Sequence, residues 1–156
     1  HVAPAQINLE ITETAAAHSD MLENNIKILH KQGIEFSLDD YGSGYSNTDY
    51  LFRFPFRIVK IDKTILWEAF KNEKAMIALR NTIRMIKELG LEIVVEGVEN
   101  QEYVDYLTEQ HCDYLQGYFY SKPIPDRDFL ELLRRENAQY YAERFSKNEL
   151  SDIITT

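Results

Sequence analysis

Residues 92–99 read EIVVEGVE, and the first five of them predict a short strand that is apolar on both faces. A strand of this kind is typical of a parallel sheet that helices cover on both sides. Four more segments predict strands, at residues 7–11, 35–38, 58–61 and 113–115, and helical patterns separate them. This alternation favours an α/β fold with a parallel sheet.

Five helices are predicted from apolar periodicity and from capping residues at their starts. They begin at Ser19 or Asp20, near Asp49, at about Glu73, at Asn100 and at Asp126. Gly33 and Gly90 end two of them, since glycine adopts the left-handed conformation that closes a helix. After about residue 140 the pattern loosens. We therefore expect one domain over residues 1–139 and a helix end with a polar tail over 140–156.

The composition is that of a globular domain, with 156 residues and a net charge of −9. A chain this acidic lacks the positive field that holds a nucleic-acid backbone, so we expect no duplex DNA or RNA partner. Acidity that is concentrated in a cleft would instead attract cations.

The single cysteine, Cys112, excludes an internal disulfide framework and fits a reducing compartment, so we expect a cytoplasmic protein. No apolar run approaches the ~18 residues that a membrane span needs. Because the chain starts at His1 rather than Met, we expect it to be part of a longer polypeptide. That polypeptide could carry a regulatory domain or a membrane anchor upstream.

Every predicted strand ends in a carboxylate, an amine or a carboxamide. These polar ends are Glu10 with Glu13, Asp39 with Asp40, Lys60, Glu96 with Glu99, and Gln116. The carboxyl ends of parallel strands meet at one edge of a sheet, where α/β proteins place their sites. The pattern therefore predicts a site at that edge.

The acidic strand ends are candidate ligands of divalent cations. Asp39 and Asp40 could each bind one of two ions, or one could ligate while the other orients water. The alternative is an Asx turn that caps a helix. Glu10 needs a partner for its charge, and we expect a cation. For Glu13 we expect a hydrogen bond that holds a loop, with a capping box as the alternative.

Lys60 lies between two apolar residues of a strand, so an inert surface position is disfavoured. Asp62 shares its face and is a possible partner. Near a metal-bound water, Lys60 could hold the nucleophile and offset phosphoryl charge. Glu96 is a candidate ligand or base, Glu99 a helix cap, and Gln116 a hydrogen-bond partner for substrate or water.

Six motifs in register resemble the EAL family of cyclic-di-GMP phosphodiesterases. They are LEITE at 9–13, DDYGSGYS at 39–46, KID at 60–62, VEGVE at 95–99, QGY at 116–118 and KPIP at 122–125. The similarity runs over about residues 5–135. It implies a TIM-type barrel that hydrolyses cyclic di-GMP to the linear dinucleotide pGpG with two Mg²⁺ or Mn²⁺ ions.

The resemblance also implies a role for each matching residue. The metal ligands would be Glu10, Asp39 and Asp40. The catalytic residues would be Lys60, Glu96 and Gln116. Lys60 would hold the attacking water, with Glu96 as a general base or ligand and Gln116 in the same water network. Glu13 would anchor the loop of residues 41–47, which in the family couples metal binding to dimerisation.

The Glu-Ala-Leu tripeptide that names the family is absent from this sequence. A complete (β/α) barrel takes about 250 residues, so we expect about five of eight strand–helix units, without the N-terminal strands. Because the ligand set is then incomplete, we expect the chain alone to be inactive. Its two bare sheet edges, at residues 7–11 and 113–115, favour self-association into homo-oligomers.

Two alternatives stay open at this point. A non-catalytic module that binds cyclic di-GMP or another protein would carry the same motifs without turnover. An unrelated metal-dependent barrel enzyme would require the six motifs to match by coincidence.

Overall fold

A computed structural model describes the chain over residues 2–16, 20–44 and 48–144. Within these ranges, the side chains of residues 20–21 and 138–144 are not described. The predicted cap Ser19, the loop residues 45–47 and the tail beyond residue 144 therefore fall outside the described residues.

Five parallel strands form one sheet. They are β1 (Asn8–Thr12), β2 (Glu35–Tyr41), β3 (Ile58–Ile61), β4 (Glu92–Val95) and β5 (Tyr114–Leu115). The spatial order of the strands follows their order in the chain, from β1 at one edge to β5 at the other. Sequential parallel strands with helical crossovers are the repeating unit of a (β/α) barrel, and the predicted α/β class is confirmed.

The described helices precede the first strand, connect the strands or follow the last of them. They are a short 3-10 helix (Pro4–Gln6), α1 (Glu13–Ala16), α2 (Asp20–Lys31), α3 (Asp49–Arg53), α4 (Lys63–Ala69), α5 (Glu73–Glu88), α6 (Gln101–Glu109) and α7 (Asp126–Arg144). Helix α4 was not predicted. Its seven residues are too few for a clear apolar period, and Asp62, which caps it, was interpreted as a partner for Lys60.

The core lies on one face of the sheet. Register pairs Leu38 with Val59, Val59 with Ile93 and Ile61 with Val95, so these side chains project from the same face. All five are completely buried. Helices cover this face with residues of the same buried cluster, which include Leu66, Leu79, Ile83, Ile86 and Leu107. Alternation then places Lys60 on the opposite face of β3.

The chain divides into two compact units, residues His1–Tyr120 and Ser121–Thr156. The first unit contains the whole sheet. In the second, the described secondary structure is α7, which continues to Arg144. The domain boundary predicted after residue 139 stays a prediction. Among the described helices, none combines the length and the apolar character that crossing a bilayer requires.

Candidate functional site

A bulge at the end of β2 brings two aspartates to one side of the sheet. The register between β2 and β3 shifts between Leu38 and Tyr41, so that Asp39 and Asp40 together lie opposite Lys60. The backbone of Asp40 is left-handed, with φ of 58°. Consecutive strand residues normally point to opposite faces, whereas a bulge re-aims one of the two side chains.

Asp39, Asp40 and Glu96 form a cluster of carboxylates. Each offers one oxygen, and these oxygens lie within 4.8 Å of one another. Oδ1 of Asp39 is buried and lies 2.8 Å from Nζ of Lys60. A donor set made only of carboxylate oxygens fits a hard divalent ion such as Mg²⁺ or Mn²⁺.

Lys60 connects this cluster to β1. Its Nζ lies 2.8 Å from Oδ1 of Asp39, 3.0 Å from Oε1 of Glu96 and 3.1 Å from Oε2 of Glu10. Burial lowers the pKa of Lys60, but its contacts with Asp39, Glu96 and Glu10 outweigh burial and raise the pKa above its ordinary value. The ammonium is therefore a permanent hydrogen-bond donor at neutral pH and has no capacity to accept a proton.

Glu10 lies in the middle of β1 rather than at its end. Its side chain is 54% exposed and accepts a hydrogen bond from Lys60, and it is not one of the three clustered carboxylates. Its assignment as a metal ligand stays a prediction. Glu96, which was predicted as a base or ligand, is the residue that joins Asp39 and Asp40.

Glu13 ties α1 to the loop that follows β2. It is buried, and its Oε2 accepts a hydrogen bond from the backbone N–H of Gly42 at 3.1 Å. Burial raises the pKa of the neighbouring Tyr41 hydroxyl, and the charge of Glu13 raises it further. Glu13 thus contacts the start of the loop of residues 41–47, and its role as the anchor of that loop stays a prediction.

The predicted pairing of Lys60 with Asp62 is wrong. The carboxylate of Asp62 instead caps α4, where its Oδ1 accepts a hydrogen bond from the backbone N–H of Thr64 at 2.9 Å and another from the Thr64 hydroxyl. The reason is local, because an aspartate at the first turn of a helix satisfies backbone donors that otherwise lack partners.

Helix α4 contributes two residues that sequence reasoning missed. Nε1 of Trp67 donates a hydrogen bond to the carbonyl oxygen of Gly97 at 2.8 Å, directly beside Glu96. Nζ of Lys63 lies 5.6 Å from the centre of the Trp67 ring. The signal in the sequence is the i, i+4 spacing of Lys63 and Trp67 after the capping Asp62, which places both on one helix face.

A cavity of about 230 Å³ opens beside Glu96. It is lined by Lys63, Trp67, Glu96, Gly97, Glu99, Gln116, Gly117 and Tyr118. Gln116 follows β5, and its backbone hydrogen bonds to Val95 and Val98 hold it at this position.

Glu99 was expected to cap α6, but Asn100 is the N-cap and accepts a hydrogen bond from the N–H of Tyr103.

Comparison with known families and proteins gives one consistent result. The family model described as the EAL domain matches residues 1–123. The cyclic di-GMP phosphodiesterase RocR of Pseudomonas aeruginosa is 35% identical over 133 residues, which are 84% of this chain and 34% of RocR. This chain therefore spans about a third of that relative.

Solved structures agree with this result. The PaMucR phosphodiesterase in a c-di-GMP complex matches with a TM-score of 0.77 and 31% identity, over 82% of this chain and 52% of that chain. BlrP1 of Klebsiella pneumoniae, in a complex with manganese and cyclic di-GMP, matches with a TM-score of 0.72 and 28% identity. That match covers 78% of this chain and 31% of BlrP1.

Proposed function

Because this chain belongs to the EAL domain family, we propose that it forms part of a domain that hydrolyses cyclic di-GMP to linear pGpG. The observation that carries the proposal is the convergence of Asp39, Asp40 and Glu96 on one point beside Lys60. A sheet edge with clustered carboxylates and one fixed ammonium suits metal-assisted hydrolysis of a phosphodiester.

The carboxylates are the proposed holders of two divalent ions, Mg²⁺ or Mn²⁺. Asp39 and Asp40 would bind them, with Glu96 beside these aspartates and Glu10 as a further ligand. When bound, such ions neutralise charge on the phosphoryl group and lower the pKa of water.

The remaining chemistry belongs to side chains of this chain. Lys60 donates a hydrogen bond that holds the attacking water, since its ammonium stays charged. Glu96 accepts the proton that this water loses. The water oxygen forms a bond to phosphorus while the bond from phosphorus to the 3′ oxygen breaks. The leaving 3′ oxygen takes up a proton from solvent water, and Glu96 returns the proton that it accepted to solvent. Gln116 supports the same water network from the end of β5.

We also propose that the 156-residue chain alone does not turn over cyclic di-GMP at a useful rate. Three carboxylates of the described residues converge, whereas two ions about 3.5–4 Å apart require a larger ligand set around an in-line displacement. An intact EAL domain that contains the chain is the proposed enzyme.

The test is a phosphodiesterase assay with Mg²⁺ or Mn²⁺ on this chain and on a polypeptide that carries the complete domain. We expect the complete domain to produce pGpG and this chain to produce none. The complete domain should also produce none after chelation of the metal or with the substitution Asp40→Asn. Family-like turnover by the chain alone would overturn the proposed inactivity. Binding of cyclic di-GMP without turnover by the complete domain would instead establish a non-catalytic binding module.

Three further proposals concern the surroundings of the chain. The sheet edges at β1 and β5 would pair between copies and give a homo-oligomer. A regulatory domain upstream would control the activity. The single cysteine supports a reducing, cytoplasmic environment.

A further inference from the structure

We propose that Lys63 is a substrate-binding residue whose ammonium contacts a phosphodiester oxygen of the cyclic dinucleotide, and that Trp67 positions it. The inference rests on the proposed function and adds a residue that lies in none of the six sequence motifs. Three observations support it: the position of Lys63, the absence of an ion-pair partner for it among the described residues, and the contact that restrains its ammonium.

The fold places Lys63 against the backbone next to Glu96. Lys63 is the first residue of α4, directly after the cap Asp62. Gly97 has φ of 73°, and a Cβ atom built there would lie 2.3 Å from Cβ of Lys63. Lys63 thus packs on the turn that carries Glu96 and lines the same cavity as Gln116.

Among the described residues that line this cavity, Lys63 supplies the one ammonium available for an anion. Lys60 contacts three carboxylates, so a substrate would have to compete with them. Lys63, in contrast, forms no ion pair with any residue that the structure describes. In a cavity that also contains the carboxylates of Glu96 and Glu99, an anionic substrate requires such a cation.

Trp67 keeps the ammonium near the cavity without neutralising it. Nζ of Lys63 lies 5.6 Å from the ring centre, within the range of a cation–π interaction. The indole is itself fixed by its hydrogen bond to the carbonyl oxygen of Gly97. An aromatic ring restrains the lysine side chain but leaves its positive charge free to attract a phosphate. A carboxylate partner would neutralise that charge.

The test measures binding of cyclic di-GMP to this chain in the presence of Mg²⁺, by calorimetry. Loss of one charge-assisted hydrogen bond predicts that Lys63→Met raises Kd on the order of tenfold. Lys63→Arg retains the charge and should stay near the wild-type Kd. Lys71→Met, which removes another exposed lysine, is the control and should leave Kd unchanged.

Two more measurements separate a phosphate contact from other roles. The affinity for Mn²⁺ without nucleotide should be equal in the wild type and in Lys63→Met. Guanosine has no phosphate, so its weak competition with cyclic di-GMP should also be equal in the wild type and in Lys63→Met. A change in Mn²⁺ affinity would place the effect at the metal site, and an equal loss for guanosine would assign Lys63 to the base. Either result would overturn the inference.

The role of Trp67 is tested with a matched pair of variants. Trp67→Phe and Trp67→Leu both lose the hydrogen bond to Gly97, but the phenylalanine keeps an aromatic ring beside Lys63. We expect Kd for cyclic di-GMP to be about two- to fivefold higher in Trp67→Leu than in Trp67→Phe. Equal values would show that Trp67 does not position Lys63.

The outcomes also separate this inference from the proposed function. If the wild-type chain binds cyclic di-GMP and Lys63→Met binds it equally well, the phosphate contact is wrong and the proposed function is untouched. If the wild-type chain and the complete domain both fail to bind, the proposed function fails and this inference fails with it.

Discussion

Asp39 and Asp40 are consecutive in the chain, yet both offer a carboxylate oxygen to the same point beside Glu96. The bulge at the end of β2 makes this possible, with Asp40 in the left-handed conformation. Aspartate and asparagine adopt that conformation more readily than most residues, because their short polar side chains bond locally. One backbone irregularity thus creates the acidic cluster.

The first prediction concerns the charge of Asp40. Asp40→Asn keeps the shape of the side chain and the tolerance for positive φ, so folding stability should be nearly unchanged. The substitution removes the charge of the carboxylate. The affinity for Mn²⁺ should fall about tenfold or more, as measured by calorimetry. Asp105→Asn, on the exposed surface of α6, is the matched control. An unchanged Mn²⁺ affinity in Asp40→Asn would remove Asp40 from the metal site.

The second prediction concerns Lys60. Lys60→Met leaves Asp39, Glu96 and Glu10 without their shared cation, so like charges repel. Because Glu10 is half exposed, we expect a loss of about 2–4 kcal/mol in the free energy of unfolding, somewhat below the full cost of breaking a buried pair. Urea denaturation measures it. Mn²⁺ should restore part of the loss, whereas Lys71→Met should show neither effect.

The strands and the site edge were predictable because the core strands are apolar and short. Val59 and Ile61 flank Lys60, and this alternation alone indicated that the lysine leaves the core face. The polar strand ends predicted one site at this edge with Glu10, Asp39 and Asp40 as metal ligands. The structure brings Asp39 and Asp40 together with Glu96 instead, and the role of Glu10 stays a prediction.

The missed features depend on contacts between distant residues. No local pattern shows which residue of β2 takes a left-handed conformation, so the bulge at Asp40 was not predicted. Asp62 is the exception, because its contact with Thr64 is local and was missed together with the short helix α4 that it caps. The hydrogen bond from Trp67 to Gly97 joins positions 30 residues apart.

The third prediction compares two glycines with positive φ. Gly97 and Gly90 have φ of 73° and 77°, so alanine should cost roughly 1–2 kcal/mol at either position. At Gly97 the new Cβ would also collide with Lys63, which adds about 1–3 kcal/mol of overpacking. Thermal or urea unfolding measures both variants. Equal losses would show that the close contact between Lys63 and Gly97 is absent.

The fourth prediction concerns Cys112. Burial raises the pKa of its thiol from 9.0 to about 12, so the thiolate is scarce in the folded protein. Alkylation at neutral pH should be slow in the folded chain and faster in urea. Between pH 9 and 12 the unfolded state loses this proton while the folded state keeps it, so stability should fall as pH rises. Cys112→Ala should reduce that fall, and an identical pH profile would contradict the assignment.

The last prediction concerns the edge of the sheet at β1. In the described sheet β1 pairs with β2 alone, and Leu9 on this edge is 39% exposed. An edge with free backbone donors and apolar side chains pairs readily with another chain, and a lysine there disfavours such pairing. We expect light scattering to show an oligomer for the wild type and a shift toward monomer for Leu9→Lys. Ile28→Lys, which places the same charge at an exposed apolar position on α2, should remain oligomeric. A wild-type monomer at micromolar concentration would show that this edge does not pair between copies.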